Sequence, residues 1–411
     1  MPADALKCKE CSTTYPLDAR YVCERCFGPL EVAYRPPGGT PDELRRRIQA
    51  GPHTLWRYAD FLPLEGAPRS ALPTGWTPLV KADRLAQRLG LEEVWIKNET
   101  ANPTHSFKDR VVSVALARAV ELGFETVACA STGNLANAVS AHAAAAGLPS
   151  YVFIPSDLEQ EKILATGAYG TNIVAVRGNY DAVNRLCTEV AGEREGWAFV
   201  NVNVRPYYAE GSKTLAYEVA EQLGWELPDR VVAPIASGSL FTKVARGFEE
   251  FIDAGLLEGE VPIMCGAQAE GCSPVAQAFA AGTEVCRPVK PDTIAKSLAI
   301  GDPADGPYAV ELANRTGGSI ESVTDDEIRA GVRLLAETTG IFTETAGGVT
   351  TAVLAKLAER GDIGRDERVV AYITGDGLKT LDTVRGTFEV TEIAPSLDEF
   401  DAAFAPEEVA V

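Results

Sequence analysis

The chain has 411 residues, 46% hydrophobic and 23% charged, with 58 acidic against 38 basic side chains and a formal net charge of −20. That length allows two or three domains with their own cores, and the composition is globular rather than disordered. The acidity counts against nucleic acid, whose phosphates need Lys and Arg. No run of about eighteen apolar residues marks a membrane span, and the opening MPADALKCKE lacks a basic-then-apolar targeting pattern, so a cytoplasmic location is expected.

Cys8-Lys-Glu-Cys11 and Cys23-Glu-Arg-Cys26 form two Cys-x-x-Cys pairs separated by eleven residues. Two thiolates from each of two tight turns make a tetrahedral four-cysteine zinc site, and metal would stabilise a segment too short for its own core. Residues 1–34 therefore read as a zinc-ribbon-like module, structural in an acidic chain. The other five of nine cysteines, Cys129, Cys187, Cys265, Cys272 and Cys286, lie in apolar or mixed segments and read as reduced thiols. Residues 35–75, rich in Pro and Gly around a helical patch at 42–50, read as a linker and packing arm.

From Trp76 the chain alternates short β-branched runs with amphipathic helices. The expected strands are Val94–Lys97, Thr126–Ala130, Tyr151–Ile154, Asn172–Arg177, Phe199–Val204, Val231–Ile235, Pro262–Ala267 and Val369–Ile373. This alternation predicts a mostly parallel sheet covered on both faces, with ligands at the carboxyl ends of the strands.

After the first of these runs comes Asn102 to Arg110, NPTHSFKDR, leading into a helix expected over 111–122. A helix N-terminus disfavours positive charge, so Lys108 is better placed as a neutral amine that attacks a carbonyl. Schiff-base lysines and the attachment of pyridoxal phosphate (PLP) use that chemistry. A lone Ser-x-Lys is more often a surface lysine; the downstream turns change the weighing. Ser131-Thr132-Gly133-Asn134 follows the second strand and opens an alanine-rich helix, a natural cup for a carboxylate. Asn134 adds a neutral hydrogen bond for a ring hydroxyl. Ala236-Ser237-Gly238-Ser239-Leu240 precedes another helix and suits a phosphate dianion, although it is neither a Walker loop nor a dinucleotide motif. Thr374, opening Thr-Gly-Asp-Gly-Leu-Lys after the last strand, can hydrogen-bond a ring nitrogen without protonating it.

These pieces, in this order, resemble the fold-type II PLP enzymes and, among them, the threonine synthases, from about Trp76 to the C-terminus. NPTHSFKDR is similar to the cofactor-lysine motif, STGN to the substrate-carboxylate loop, residues 236–240 to the cofactor-phosphate loop, and TGDGLK to the segment whose threonine contacts the pyridine nitrogen. Glu210-Gly-Ser-Lys-Thr214 also fits, and a cysteine-rich N-terminal ribbon occurs in many relatives. The resemblance implies an α/β, tryptophan synthase β-like fold with two parallel-sheet domains and PLP between them. Residues 76–411 would form the catalytic region, with a smaller mobile subdomain at about 112–205. It further implies an amino-acid substrate and a homodimer, and the reaction would turn O-phospho-L-homoserine and water into L-threonine and phosphate.

The chain departs from the family pattern in three places. His105 stands where many relatives have glycine, the phosphate loop is poorer in glycine, and Tyr208 replaces a common arginine for the substrate phosphate. Arg205 or Lys213 is the expected substitute. Tyr208 is also the feature that favours a cysteate synthase-like β-replacement or a serine/threonine dehydratase. A non-catalytic scaffold would have no need of Lys108, Asn134 and Thr374 together.

Overall fold

The computed structural model of the chain describes residues 3–66, 72–131, 133–156, 160–178 and 180–404. Strands β1 (Ala3–Cys8), β2 (Thr14–Tyr15) and β3 (Leu30–Tyr34) make an antiparallel sheet in the order β2-β1-β3. β4 (Leu79–Lys81) and β5 (Glu93–Asn98) begin a larger sheet. The chain leaves it for a four-stranded parallel sheet, β6 (Thr126–Ala130), β7 (Ser150–Pro155), β8 (Asn172–Val176) and β9 (Trp197–Phe199), ordered β8-β7-β6-β9. It returns with β10 (Arg230–Pro234), β11 (Ile263–Ala269), β12 (Ser319–Val323) and β13 (Arg368–Ile373), giving the order β12-β11-β10-β13-β5-β4. All pairs in that sheet are parallel except the edge pair β4–β5.

The continuous apolar runs explain this placement. Every residue of β10 is buried and β13 is buried from Val369 onward, as strands covered on both faces must be. Two core clusters fill the faces of the large sheet, one around Phe248, Phe251 and Tyr372, the other around Val94, Val349 and Val369. The segment read as a linker contributes to the first: Leu55–Phe61 forms a 3-10 turn whose Tyr58 and Phe61 are fully buried, with Phe61 5.1 Å from the Phe251 ring. The ribbon is also joined to a core, since Leu6, Leu30 and Val32 pack in one cluster with Val111, Val152 and Tyr207.

One expected strand differs, and β12 is a strand outside the expected set. The run 199–204 ends at Phe199, because Asn203 Oδ1 accepts from Phe199 N at 2.8 Å and Asn203 Nδ2 donates to Trp197 O at 3.0 Å. Such side-chain bonds compete with the ladder and turn the chain into the helix Arg205–Glu210. β12, with the mixed sequence SIESV, is an edge strand paired only with β11, and its pattern is too polar to read as a buried run.

Candidate active site

Lys108 opens the helix Lys108–Glu121 without a side-chain cap. Its two neighbours are committed to the core. Asp109 accepts from Thr104 N at 2.8 Å and contacts His142 Nε2 at 2.9 Å, while Arg110 pairs with Glu99 and Glu218 at full burial. Lys108 alone of the three remains half-buried, its Nζ 2.9 Å from the Tyr208 hydroxyl. The loop before it is tied to the end of β13 by Phe107 N to Thr374 O at 3.0 Å and Asp376 N to His105 O at 3.1 Å. Backbone pairing thus brings the residue before Lys108 against the buried Thr374, although the two lie far apart in sequence. His105 is exposed at φ 61, so the turn takes a residue in the left-handed region here.

Asn134, first residue of the helix Asn134–Ala146, donates through Nδ2 to both oxygens of Glu344 at 3.0 Å and accepts at Oδ1 from Lys379 Nζ at 2.7 Å. These partners fix the amide's orientation. Burial pushes the Glu344 carboxyl up and pulls the Lys379 ammonium down. Glu344 packs against Gly375, where a Cβ would lie 2.5 Å from its carboxylate, so only glycine lets it reach Asn134. Sequence reasoning missed both residues. Lys379 closes the TGDGLK motif already singled out, and Glu344 sits before a Gly-Gly helix start, a signal that spacing alone does not interpret.

The turn at 236–240 lies at the end of β10, with Gly238 as N-cap of the helix Ser239–Asp253 at φ 95. A Cβ on Gly238 would come 2.6 Å from Asp305 O, so the close approach requires glycine. First-turn N–H groups there have no carbonyl partner within the helix and are aimed outward. The Leu240 side chain belongs to the core, leaving only its amide for a ligand. In the first turn expected to bind substrate, Ser131 and Gly133 are joined by Gly133 N to Ser131 Oγ at 3.4 Å, and Thr132 lies outside the described residues.

Arg205 and Lys213 separate clearly. Arg205, one helical turn before Tyr208, is 29% exposed at its side chain and donates to Asp305 at 3.0 Å. Lys213 is 0% exposed and bound by Glu210 at 2.6 Å and Glu250 at 3.0 Å. Lys213 is thus a core charge, and the expectation that it meets substrate is corrected by its burial between two carboxylates.

The sulfur atoms of Cys8, Cys11, Cys23 and Cys26 all lie within 4.8 Å of one another. Cys8–Cys26 and Cys11–Cys23 are 3.5 and 3.6 Å apart. Tetrahedral zinc with bonds of about 2.3 Å spaces its sulfurs by roughly 3.8 Å, so the cluster has metal-site dimensions. Among the described residues no helix is long and apolar enough to cross a membrane.

Residues 71–375 match the family model of the pyridoxal-phosphate dependent enzymes. The chain is 38% identical over 395 residues to threonine synthase of Methanocaldococcus jannaschii, covering 94% of this chain and 96% of that one. It is also 38% identical to threonine synthase of Methanosarcina acetivorans, covering 92% and 93%. The processed threonine deaminase isoform 2 of Solanum lycopersicum shares the fold with a TM-score of 0.62 at 22% identity, over 85% of this chain and 90% of that one. The chain belongs to the pyridoxal-phosphate-dependent enzymes, in their threonine synthase family.

Proposed function

We propose that the protein converts O-phospho-L-homoserine and water into L-threonine and phosphate, with PLP joined to Lys108. The observation that carries this reading is the half-buried Lys108, one residue beyond the backbone tie to Thr374, in a chain 38% identical to threonine synthases over nearly its whole length. The donors fit the cofactor: an amine for the aldehyde, a hydroxyl for the ring nitrogen and outward amides at a glycine cradle for the phosphate. Bound PLP supplies an electron sink for negative charge at the substrate carbons.

Thr374 would offer its hydroxyl to the ring nitrogen, and Asn134, its carbonyl held by Lys379, would give an N–H to the ring hydroxyl by exchanging one of its two Nδ2 contacts with Glu344. Ser131, Thr132 and Gly133 take the substrate carboxylate, and Arg205 takes its phosphate. Lys108 would take protons from Cα and Cβ, phosphate would leave from Cγ, one proton would return to Cγ, and once water's hydroxyl has added at Cβ the other would be restored at Cα. The Tyr208 hydroxyl holds the amine in place between transfers.

Zinc in the four-cysteine cluster is read as structural. The cytosol suits nine cysteines free of disulfides, and the charge of −20 opposes nucleic acid. A homodimer accounts for the apolar C-terminal stretch, where Leu378, Phe388, Val390 and Leu397 are all at least 66% exposed.

The test is turnover of O-phospho-L-homoserine by PLP-loaded protein, with phosphate and threonine followed together. Equal amounts are expected. Phosphate with ammonia and no threonine would establish elimination and refute the synthase reading.

A further inference from the structure

Asp305 stands between two cations. Its Oδ2 accepts from Arg205 Nη2 at 3.0 Å, and its Oδ1 lies 4.0 Å from Lys9 Nζ. Its side chain is only 12% exposed, against 20% for Lys9 and 29% for Arg205. The Asp305 backbone is anchored beside the turn 236–240, since its N–H donates to Ser237 O at 2.8 Å and its carbonyl fills the space at Gly238.

Lys9 arrives from the far end of the sequence, between Cys8 and Cys11. Its ammonium also rests 3.3 Å from the centroid of the Tyr308 ring, whose hydroxyl bonds Glu10. Lys243, which also lines this crevice, is taken up by Glu210 at 2.8 Å and Glu31 at 3.6 Å. The crevice that Lys9, Arg205 and Asp305 line holds about 30 Å³, room for a water or two but not for a phosphate. A phosphate met by Arg205 outside this crevice would draw it away from Asp305.

That departure strips a shielded carboxylate of its hydrogen-bonded partner, which is costly unless another charge remains beside it. We propose that Lys9 is that charge: it neutralises Asp305 when Arg205 exchanges this carboxylate for the substrate's phosphate. Arg205 is latched in the resting protein and released by substrate, and the N-terminal module thereby contributes a specificity-determining residue. The inference rests on the reading that Arg205 takes the phosphate.

Lys9→Met should weaken inorganic phosphate binding to PLP-loaded protein, measured by calorimetry, about fivefold, equivalent to about 1 kcal/mol. KM for O-phospho-L-homoserine should rise in parallel while kcat stays within about twofold, and Lys9→Arg should restore both. Asp305→Asn should act in the opposite sense, tightening phosphate about fivefold, and on that background Lys9→Met should cost less than about twofold. Equal losses with and without Asp305, a phosphate affinity indifferent to Lys9→Met, or weaker phosphate binding by Asp305→Asn would each overturn the proposal. Lys9-dependent phosphate binding by a protein that makes no threonine would overturn the proposed reaction and leave the latch standing.

Discussion

Glu218→Gln tests the scaffold beneath Lys108. Glu218 is fully buried and accepts from Arg110 at 2.5 and 2.7 Å, from Lys97 at 2.6 Å and from Trp76 N at 2.7 Å. Arg110 also binds Glu99 at 2.6 Å, so two cations face two carboxylates. Burial alone would raise the Glu218 carboxyl and does pull Lys97 down. Arg110, always charged, together with Lys97 holds Glu218 at about 2 against an ordinary 4.5.

That gap corresponds to roughly 3 kcal/mol of native stability. Loss of one partner from a buried pair costs about 3–5 kcal/mol by an independent route. The depressed value sets the sign: the contribution is complete above pH 4.5 and is lost as pH falls toward 2. Glu218→Gln should therefore lower the urea-unfolding free energy at pH 7 by about 3–5 kcal/mol. Its difference from wild type should shrink below pH 4.5. Glu210, also held at about 2 against burial by Lys213 and Lys243, is common to both proteins and cancels. A loss under about 1 kcal/mol, or a difference that ignores pH, would refute the assignment of Glu218 as an ionised clamp on Arg110.

Two further outcomes are expected. Lys108→Ala should lower kcat by about 10²–10⁴ and abolish the visible absorbance of lysine-bound cofactor; retention of that band would move the attachment site elsewhere. Cys23→Ser should release the metal and make residues 3–34 the first site of proteolysis, read by metal analysis and mapping of the cleaved ends; metal content unchanged from wild type would dismiss the four-cysteine assignment.

What the chain declares locally, it declares well. The parallel strands are legible because burial on both faces demands continuous β-branched runs, and the turn at 236–240 because a helix start beside a close backbone approach demands Gly238. Lys108 stands out because no structural use suits a cation at that helix end. Cys8, Cys11, Cys23 and Cys26 carry their geometry in their spacing.

Other assignments are settled by residues far away in sequence. Arg205 and Lys213 look equivalent as sequence, yet Glu250 and Glu210 draw one into the core while Asp305 holds the other, partly exposed, beside the turn at 236–240. Glu344 and Lys379 become site residues only when the end of β13 is brought against Asn134. Lys9 reaches Asp305 only because the N-terminal sheet packs against the parallel-sheet body. Local periodicity records which face a residue presents, whereas the charge that will stand opposite it is decided by the tertiary fold.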